Sequence, residues 1–310
     1  MKAKVLVPII IGAVVLTVAI IFLILALTVP TVHKTHDVQD AFSSIDIDVS
    51  TTDLEFAVSE DGTVKVDVTE TEKQYHSVRV LDGILVIRRE DARNIFERAY
   101  GFGNKFKVVL YLPAGEYGNL NLKVSTGNVT VPEGYTFNKV ESKSSTGDIS
   151  FNSNAKDSAS FVLSTGSANI ANMSPTTLFI SSTTGSKTLS NITVQGAASV
   201  ISSTGSVTLN NFKCNSLTMS SSTGSTTLNN TIVDNTLSIS VSTGNVTLND
   251  ADAGTIFIKT TTGNVKGTLL TSKIIFAETN TGHANVPHLT EGGKCEIKTT
   301  TGNIEISIKE

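Results

Sequence analysis

Apolar and polar side chains alternate along most of the chain beyond residue 40, and a Thr-Gly pair interrupts the alternation at regular intervals. Apolar residues two positions apart precede most of these interruptions, as at Leu217 and Met219, and follow most of them, as at Val207 and Leu209. Residues i and i+2 of a β-strand point to the same face, so each such pair marks a strand with one buried face. The pattern therefore predicts two short strands that meet at each Thr-Gly pair.

The Thr-Gly pair recurs ten times, and successive glycines are 19 or 20 residues apart. Glycine suits a tight corner because it adopts positive φ without a Cβ clash, and a following Asn, Asp or Ser can bond to the turn backbone. Strands this short bury an apolar face only when repeats stack on one another. The predicted structural corners are Thr126-Gly127, Thr146-Gly147, Thr165-Gly166, Thr184-Gly185, Thr204-Gly205, Thr223-Gly224, Thr243-Gly244, Thr262-Gly263, Thr281-Gly282 and Thr301-Gly302.

We therefore predict an all-β fold, a parallel β-solenoid of 19- to 20-residue coils. Coils stack at roughly 4.8 Å, so ten of them extend about 50 Å. The corner threonines are interpreted as structural, because geometry restricts the position before a corner glycine. A ligand-binding row of hydroxyl groups is the alternative interpretation.

Two residues depart from the regular columns of the repeat, and two cysteines raise the question of a disulfide. Lys187 falls in a column of Val and Ile, so either its amine extends to solvent or its coil is shifted. Gly267 interrupts the apolar column of its coil. Cys295 occupies an inward column, and Cys214 lies four coils away, which at roughly 4.8 Å per coil is too far for a disulfide.

Residues 5–29 carry no charge and are long enough, at about 1.5 Å per residue, to cross the roughly 30 Å hydrocarbon core of a membrane. A cleaved signal peptide is the alternative, although its apolar core is typically about 7–15 residues long. Lys2 and Lys4 precede the run and only Lys34 closely follows it, which favours a cytoplasmic N-terminus in a single-pass plasma-membrane protein. The predicted segments are a cytoplasmic N-terminus at 1–4, a transmembrane signal anchor at 5–29, a stalk at 30–40, an irregular β cap with the first coils at 41–123 and the regular solenoid at 124–310.

The predicted cap is less regular than the segment that follows it. Residues 45–56 resemble a coil in which Thr52 takes the place of the corner glycine. Alternating strands are predicted at 64–68, 84–87 and 106–113. We expect this module to close the membrane-proximal end of the solenoid, because an exposed terminal coil invites pairing with other chains.

Every arginine of the chain lies between residues 79 and 98, and aromatic residues interleave with the basic ones. Residues 79–107 contain seven basic and four acidic side chains. Such a loop suits contact with an anionic envelope polymer, lipid head groups or a membrane-protein partner. A solvated hairpin or capping helix with internal ion pairs is the alternative. The candidate partner-binding residues are Arg88, Arg89, Arg93, Phe96, Arg98, Tyr100 and Phe102.

The composition of the chain argues against several classes of function. The net charge of −4 argues against nucleic-acid binding, and the absence of Trp leaves few platforms for sugars. Residues 125–250 carry few charges and no recurring carboxylate pair. We therefore expect that the protein is not an enzyme and that it binds neither a cofactor nor a metal. A polysaccharide-active enzyme and an ice-binding protein are minor alternatives. The second rests on rows such as Ser206 and Thr208, which are interrupted at Lys266 and Glu305.

Several of these features occur together in one known family. An N-terminal apolar anchor, the coil at 45–56, a strand ending at Leu112-Pro113 and the Gly-polar-aliphatic corner within 122–131 resemble the bacterial putative-adhesin solenoids, also called toast-rack domains. The resemblance covers residues 41–310 and implies an envelope location without catalytic residues. Relatives often place Asp after the corner glycine, whereas here only Asp148 does so, which argues against an acidic ladder for cations.

These observations lead to two functional hypotheses. One is an extracytoplasmic cell-envelope scaffold or adhesin that binds through the faces of the solenoid. The alternative is an accessory protein of envelope-stress sensing that acts through the loop at 88–107 and the membrane anchor. The final strand at 304–308 is also predicted to be an open edge guarded by its charges, which favours weak end-to-end self-association.

Overall fold

The computed structural model describes residues 14–18, 30–100 and 106–309. Residues 14–18 are helical, and the rest of the predicted span at 5–29 lies outside the described residues. In the described ranges, no helix combines the length and apolar character that a membrane crossing requires.

Beyond residues 14–18, the described chain is built almost entirely of strands, with a short helix, α1, at Ile95–Tyr100. The strands are β1 Val32–Val38, β2 Ser44–Val58, β3 Val64–Glu70, β4 Gln74–Leu81, β5 Ile84–Asp91, β6 Phe106–Leu112, β7 Gly115–Thr126, β8 Val129–Val131, β9 Tyr135–Thr146, β10 Ile149–Phe151, β11 Asn154–Thr165, β12 Ala168–Met173, β13 Thr177–Thr184, β14 Lys187–Thr204, β15 Val207–Thr223, β16 Thr226–Thr243, β17 Val246–Thr262, β18 Val265–Leu269, β19 Lys273–Thr281, β20 Ala284–Asn285, β21 Gly293–Thr301 and β22 Ile304–Ile308.

Successive coils pair in parallel, which confirms the predicted β-solenoid of about ten turns. Thr204 at the end of β14 aligns with Thr223 of β15, and Thr223 with Thr243 of β16, so the Thr-Gly corners stack in one column. Neighbouring coils stay in register through two segments, and before the third segment one of the two coils has an extra residue. The 19- and 20-residue intervals of the sequence reflect whether that extra residue is present.

One hydrophobic core runs through the stack and is formed by the inward columns of every coil. Large aromatic side chains pack together near its N-terminal end, where Phe151 lies tilted against Phe137 and edge-to-face with Phe161, at centroid separations of 6.3 and 5.3 Å. Cys214 and Cys295 are free and buried in this core. Burial raises the pKa of each thiol to about 12, so both behave as small apolar side chains.

The N-terminal end of the stack is covered by antiparallel strands. β2 pairs with β7 and β8 on one side and with β5 and β6 on the other. β3 and β4 then pair antiparallel with β6 and β5. Thr51 aligns with Thr126, which places Thr52 at the level of Gly127 as predicted. Residues 32–38, expected to belong to a stalk, instead form β1 and pair antiparallel with β3.

The C-terminal coils do not stack in sequence order. β21 lies between β17 and β19, and β22 lies between β18 and β20. The prediction that the final strand is an open edge is correct only in part, because β22 pairs with β18 along one whole side and with β20 at Ile304 and Glu305 on the other. The outermost coil is the preceding one, formed by β19 and β20.

Candidate functional site

The Thr-Gly corners satisfy a backbone requirement. The ten corner glycines have φ between +118° and +152°, a region that side chains with a Cβ rarely adopt. A Cβ on Gly205 would also collide with the carbonyl oxygen of Gly185 one coil away. The amide of Gly205 donates to the carbonyl of Thr223 at 2.9 Å. The corner backbone is therefore used to hold neighbouring coils together.

Side chains after the corner glycine extend this ladder. The Asn128 side chain accepts a hydrogen bond from the backbone amide of Asp148 at 2.9 Å, and Asp148 accepts one from Ser167 at 2.7 Å. Asn245 and Asn264 repeat the contact further along the stack. These polar atoms bond to the next coil, which fits the structural interpretation of the corner.

A second corner, which the sequence analysis missed, is marked by Asn. Five residues that each stand six positions after a corner glycine adopt left-handed φ between 49° and 57°. The side-chain amides of the four asparagines among them bond from coil to coil, as from Asn211 to Asn191 and from Asn230 to Asn211, both at 3.0 Å. Asn tolerates this conformation better than other residues with a Cβ. The five are Asn172, Asn191, Asn211, Asn230 and Asp250.

Lys187 follows neither of the two predicted arrangements. It keeps its register between Ala168 and Val207, and only 1% of it is exposed. Its Nζ donates to the Ser202 hydroxyl at 2.6 Å inside the core. Burial lowers the pKa of the amine to about 8.

Two of the predicted partner-binding arginines are held against the solenoid. Arg88 forms an ion pair with Asp46 and donates to the Asp46 carbonyl at 2.8 Å. Arg89 donates to Ser50, and its guanidinium lies 4.1 Å from the ring centroid of Phe106. Burial lowers the pKa of Arg89. Both side chains connect β5 to β2, so they contribute to the cap itself.

Arg93 and Arg98 contact Asp91 just before α1. The Arg93 guanidinium binds both carboxylate oxygens of Asp91, at 2.9 and 2.8 Å, and these bonds lower the pKa of Asp91 to about 2. Arg98 donates to the Asp91 carbonyl at 2.9 Å.

The remaining predicted partner-binding residues are aromatic. Phe96 and Tyr100 lie in α1, and their side chains, like the whole of Phe102, lie outside the described residues. The exposed feature of α1 is Ile95, which is 78% exposed.

A buried polar network lies beneath this cap. Thr52 Oγ1 and His76 Nε2 are 3.2 Å apart, and His76 Nδ1 lies 3.4 Å from Glu70. Glu70 also binds the Lys34 ammonium at 2.6 Å. Desolvation lowers the pKa of His76 despite the nearby carboxylate. A hydroxyl, an imidazole and a carboxylate in a row resemble a nucleophilic triad, but all three are buried, so a substrate has no access.

The C-terminal end presents a different surface, which we call the distal end and define as the coil at residues 273–292 with the adjoining β21. Phe276 is 56% exposed, and Ile274, Ile275 and Ala277 are only partly covered. A groove of about 420 Å³ follows the outer face here, lined by Phe276, Ala277, Glu278, Lys294, Glu296 and Lys298. The groove combines an aromatic ring with charges of both signs.

A buried ion pair fixes the order of the coils at the distal end. Lys273 Nζ lies 2.6 Å from Asp252 Oδ1, and both side chains are largely buried. The Lys273 side chain passes over Gly293, where a Cβ would collide with the carbonyl of Gly254. The pair thus spans the inserted strand β21 and joins the coils on either side of it.

No cluster of three or more His, Cys, Asp or Glu side chains that could hold a metal ion occurs in the described part of the chain. His33 and His36, adjacent in sequence to the predicted anchor, lie in β1, and the His33 ring bonds to Thr69 at 3.0 Å.

Comparison with known proteins supports the architecture. The family model Toastrack DUF4097 matches residues 42–203 and 197–310. No curated protein matches the chain in sequence.

Several crystal structures resemble the chain in fold. One is described as a putative adhesin from Bacteroides fragilis NCTC 9343 and is 15% identical in sequence. The match covers 90% of this chain and 98% of that chain, with a TM-score of 0.39. Two come from Parabacteroides distasonis ATCC 8503. The one described as a putative lipid binding protein has 13% identity, coverage of 89% and 96% and a TM-score of 0.40. The other, a putative adhesin, has 13% identity, coverage of 89% and 97% and a TM-score of 0.37.

Proposed function

The chain belongs to the Toastrack DUF4097 family, and from this we propose that it is a non-enzymatic, adhesin-like scaffold of the cell envelope that binds other molecules through its solenoid. The observation that carries the proposal is the contrast between the two ends of the stack. Antiparallel strands cover the N-terminal end, whereas the distal end exposes a strand edge, Phe276 and a charged groove. Exposed apolar surface rimmed by polar groups is typical of an interaction site.

The composition of the regular coils also supports binding rather than catalysis. Their polar side chains bond to neighbouring coils, as in the ladder of Asn191, Asn211 and Asn230. The buried row of Thr52, His76 and Glu70 has no access to a substrate. These features favour a rigid support that carries a binding surface at one end.

The proposed location is outside the cytoplasm. The uncharged run at 5–29, with Lys2 and Lys4 before it, supports a single membrane anchor with a cytoplasmic N-terminus. The cap would then lie near the membrane, and the ten coils would hold the distal end about 50 Å further out.

A second candidate function is the accessory role in envelope-stress sensing, and α1 favours it. Ile95 is 78% exposed beside Arg98, an apolar and basic combination suited to a protein partner or an anionic surface. Arg88 and Arg89 suit this role less well, because they contact β2 and Phe106. The test of this role therefore targets Ile95 and leaves those two arginines intact.

The two functions are separated by the binding of full-length protein in nanodiscs to purified cell-envelope fragments. Phe276→Lys alters the distal end, and Ile95→Asp alters α1, both at exposed positions. The scaffold hypothesis predicts at least a tenfold loss of binding for the Phe276 variant and wild-type binding for the Ile95 variant. The reverse result would replace the scaffold with the accessory role, and binding that neither change affects would contradict both.

A further inference from the structure

The outermost strand of the distal end has one unpaired edge. β19 pairs with β21 from Lys273 to Thr281, and among the described residues no strand pairs with its other side. Its outward-facing backbone amide and carbonyl groups are therefore available to another strand. Natural proteins usually protect such edges with charges, proline, bulges or a covering loop.

The side chains of β19 do not provide this protection. Ile274 and Phe276 occupy the outer face, and Ile275 and Ala277 end the inward columns of the core while still partly exposed. Glu278 is the one exposed charge in the strand, because Lys273 is buried against Asp252. The edge thus combines free backbone groups with an apolar surface on both faces.

The distal end is a fixed feature of the fold rather than a frayed terminus. β21 is held between β17 and β19 by close contacts at Gly292 and Gly293, and the Lys273–Asp252 pair spans it. The edge of β19 therefore stays in one position and one register. Binding at this edge would require no reordering of the chain, which lowers its entropic cost.

We propose that the distal end is the interface for a second copy of this chain, in which the two β19 strands pair antiparallel about a two-fold axis at Phe276. In this register Ile275 of each copy lies opposite Ala277 of the other, so the two cores join. The two Phe276 side chains are then opposite each other on the outer face, where aromatic pairs are stabilising.

The charges of the distal end fit this register. Ile274 of one copy faces Glu278 of the other, so no like charges oppose each other across the new pair of strands. Glu278 already lies 3.3 Å from Lys298 of its own copy. Lys294 is the neighbour of Ile274 on β21, so the second copy places another ammonium on the far side of Glu278. Each carboxylate would lie between two lysines.

The size and symmetry of the interface are also suitable. The exposed coil contributes about 20 residues, close to the number that each side of a standard-size interface uses. A two-fold contact uses the same patch on both copies and closes on itself, so it produces a dimer rather than a fibre. The strand at the N-terminal end, β1, carries exposed charged and polar side chains, which protect its edge against the same pairing.

The arrangement places the two N-terminal ends at opposite extremes of the dimer, about 100 Å apart for two stacks of ten coils. If each chain is anchored at its N-terminus, which is part of the proposed function above, the two anchors suit facing membranes better than one membrane. The dimer contact itself does not depend on the anchor.

Disulfide trapping of the full-length protein in detergent micelles tests the contact. Phe276→Cys places two thiols opposite each other at the two-fold axis, with Cβ atoms roughly 4.5–5.5 Å apart, near the upper end of the separation that a disulfide spans. Cys214 and Cys295 are buried and contribute little background. Phe179→Cys is the matched control, an outward Phe with 38% exposure several coils away from the end.

The proposal predicts that mild oxidation converts most of the Phe276→Cys protein to a covalent dimer and less than about a tenth of the control. Phe276→Lys should make the protein in micelles monomeric by light scattering, because two ammonium groups would face each other. Equal crosslinking of both cysteine variants, or unchanged association of the lysine variant, would overturn it. A wild-type protein that stays monomeric in micelles and still binds envelope fragments through Phe276 would reject this partner and leave the scaffold function standing.

Discussion

Lys187 is a basic residue in an inward column that is otherwise formed mainly by apolar side chains. The residues aligned with it are Ala168 and Val207, and its amine reaches the single hydroxyl of Ser202 rather than a carboxylate. A buried ammonium without a counter-ion is unfavourable, which is why burial lowers the pKa of this group from 10.5 to about 8. The cost appears as a dependence of stability on pH.

The sign of this dependence follows from proton binding. Between pH 8 and 10.5 the unfolded chain carries a proton on Lys187 that the folded chain has lost, so the free energy of unfolding rises with pH across this window. Below the window the buried charge costs about 3 kcal/mol, at roughly 1.4 kcal/mol per pKa unit. Lys187→Met should remove most of this rise and stabilise the protein at pH 7 by about 1–3 kcal/mol.

Urea denaturation at pH 7 and pH 10 measures both effects. Lys213→Met is the matched control, since Lys213 is an exposed lysine on β15, and its stability profile should follow that of the wild type. A Lys187→Met protein that is no more stable at pH 7 and keeps the full rise with pH would disprove the assigned cost.

At the scale of the element, the second corner shows what holds one coil to the next. Asn211 has φ of 52°, donates to Asn191 and accepts from Asn230. Replacing it with Ala removes two side-chain hydrogen bonds and places in the left-handed region a residue that adopts positive φ less readily than Asn. We expect Asn211→Ala to lower the free energy of unfolding by about 1–3 kcal/mol.

A glycine variant separates the two contributions. Asn211→Gly also loses the side-chain bonds but accepts the left-handed conformation, so it should recover part of the loss. Equal losses for Ala and Gly would mean that φ contributes little. Wild-type stability of both variants would mean that the ladder does not stabilise the stack.

The sequence predicts the coils well because their constraints are local and repeated. A glycine every 19 or 20 residues with apolar pairs around it specifies the corner, the inward columns and the parallel stacking. The Asn corner was also detectable, since Asn or Asp stands six residues after five of the glycines. The order of the last coils was not, because Ile275 and Cys295 occupy equivalent columns and either strand fits against Ile256.

At the scale of the whole molecule, the candidate sites depend on which end of the stack is closed. Composition alone directed attention to the arginines at 79–98, the strongest local charge cluster in the chain. Arg88 and Arg89 prove to contact β2 and Phe106, contacts that depend on pairing between residues far apart in sequence. The sequence predicted an open edge at 304–308 and not at β19, because Phe276 becomes an exposed edge residue only through the insertion of β21.

The proposed scaffold is therefore a stack whose N-terminal end is covered by antiparallel strands and whose distal end carries the binding surface. Hydrogen exchange reports this difference directly, because paired backbone amides of interior coils exchange slowly and open edges exchange quickly. The edge of β19 should be among the least protected strands of the monomeric protein. Contact with a binding partner should slow its exchange.

The most direct test compares the exchange of full-length protein at concentrations where it is monomeric, before and after it binds purified cell-envelope fragments. The account predicts that binding slows exchange by at least about tenfold in peptides covering β19 and the groove beside β21, and leaves residues 94–100 unchanged. Slowing confined to residues 94–100, with β19 exchanging as fast in bound as in free protein, would contradict it.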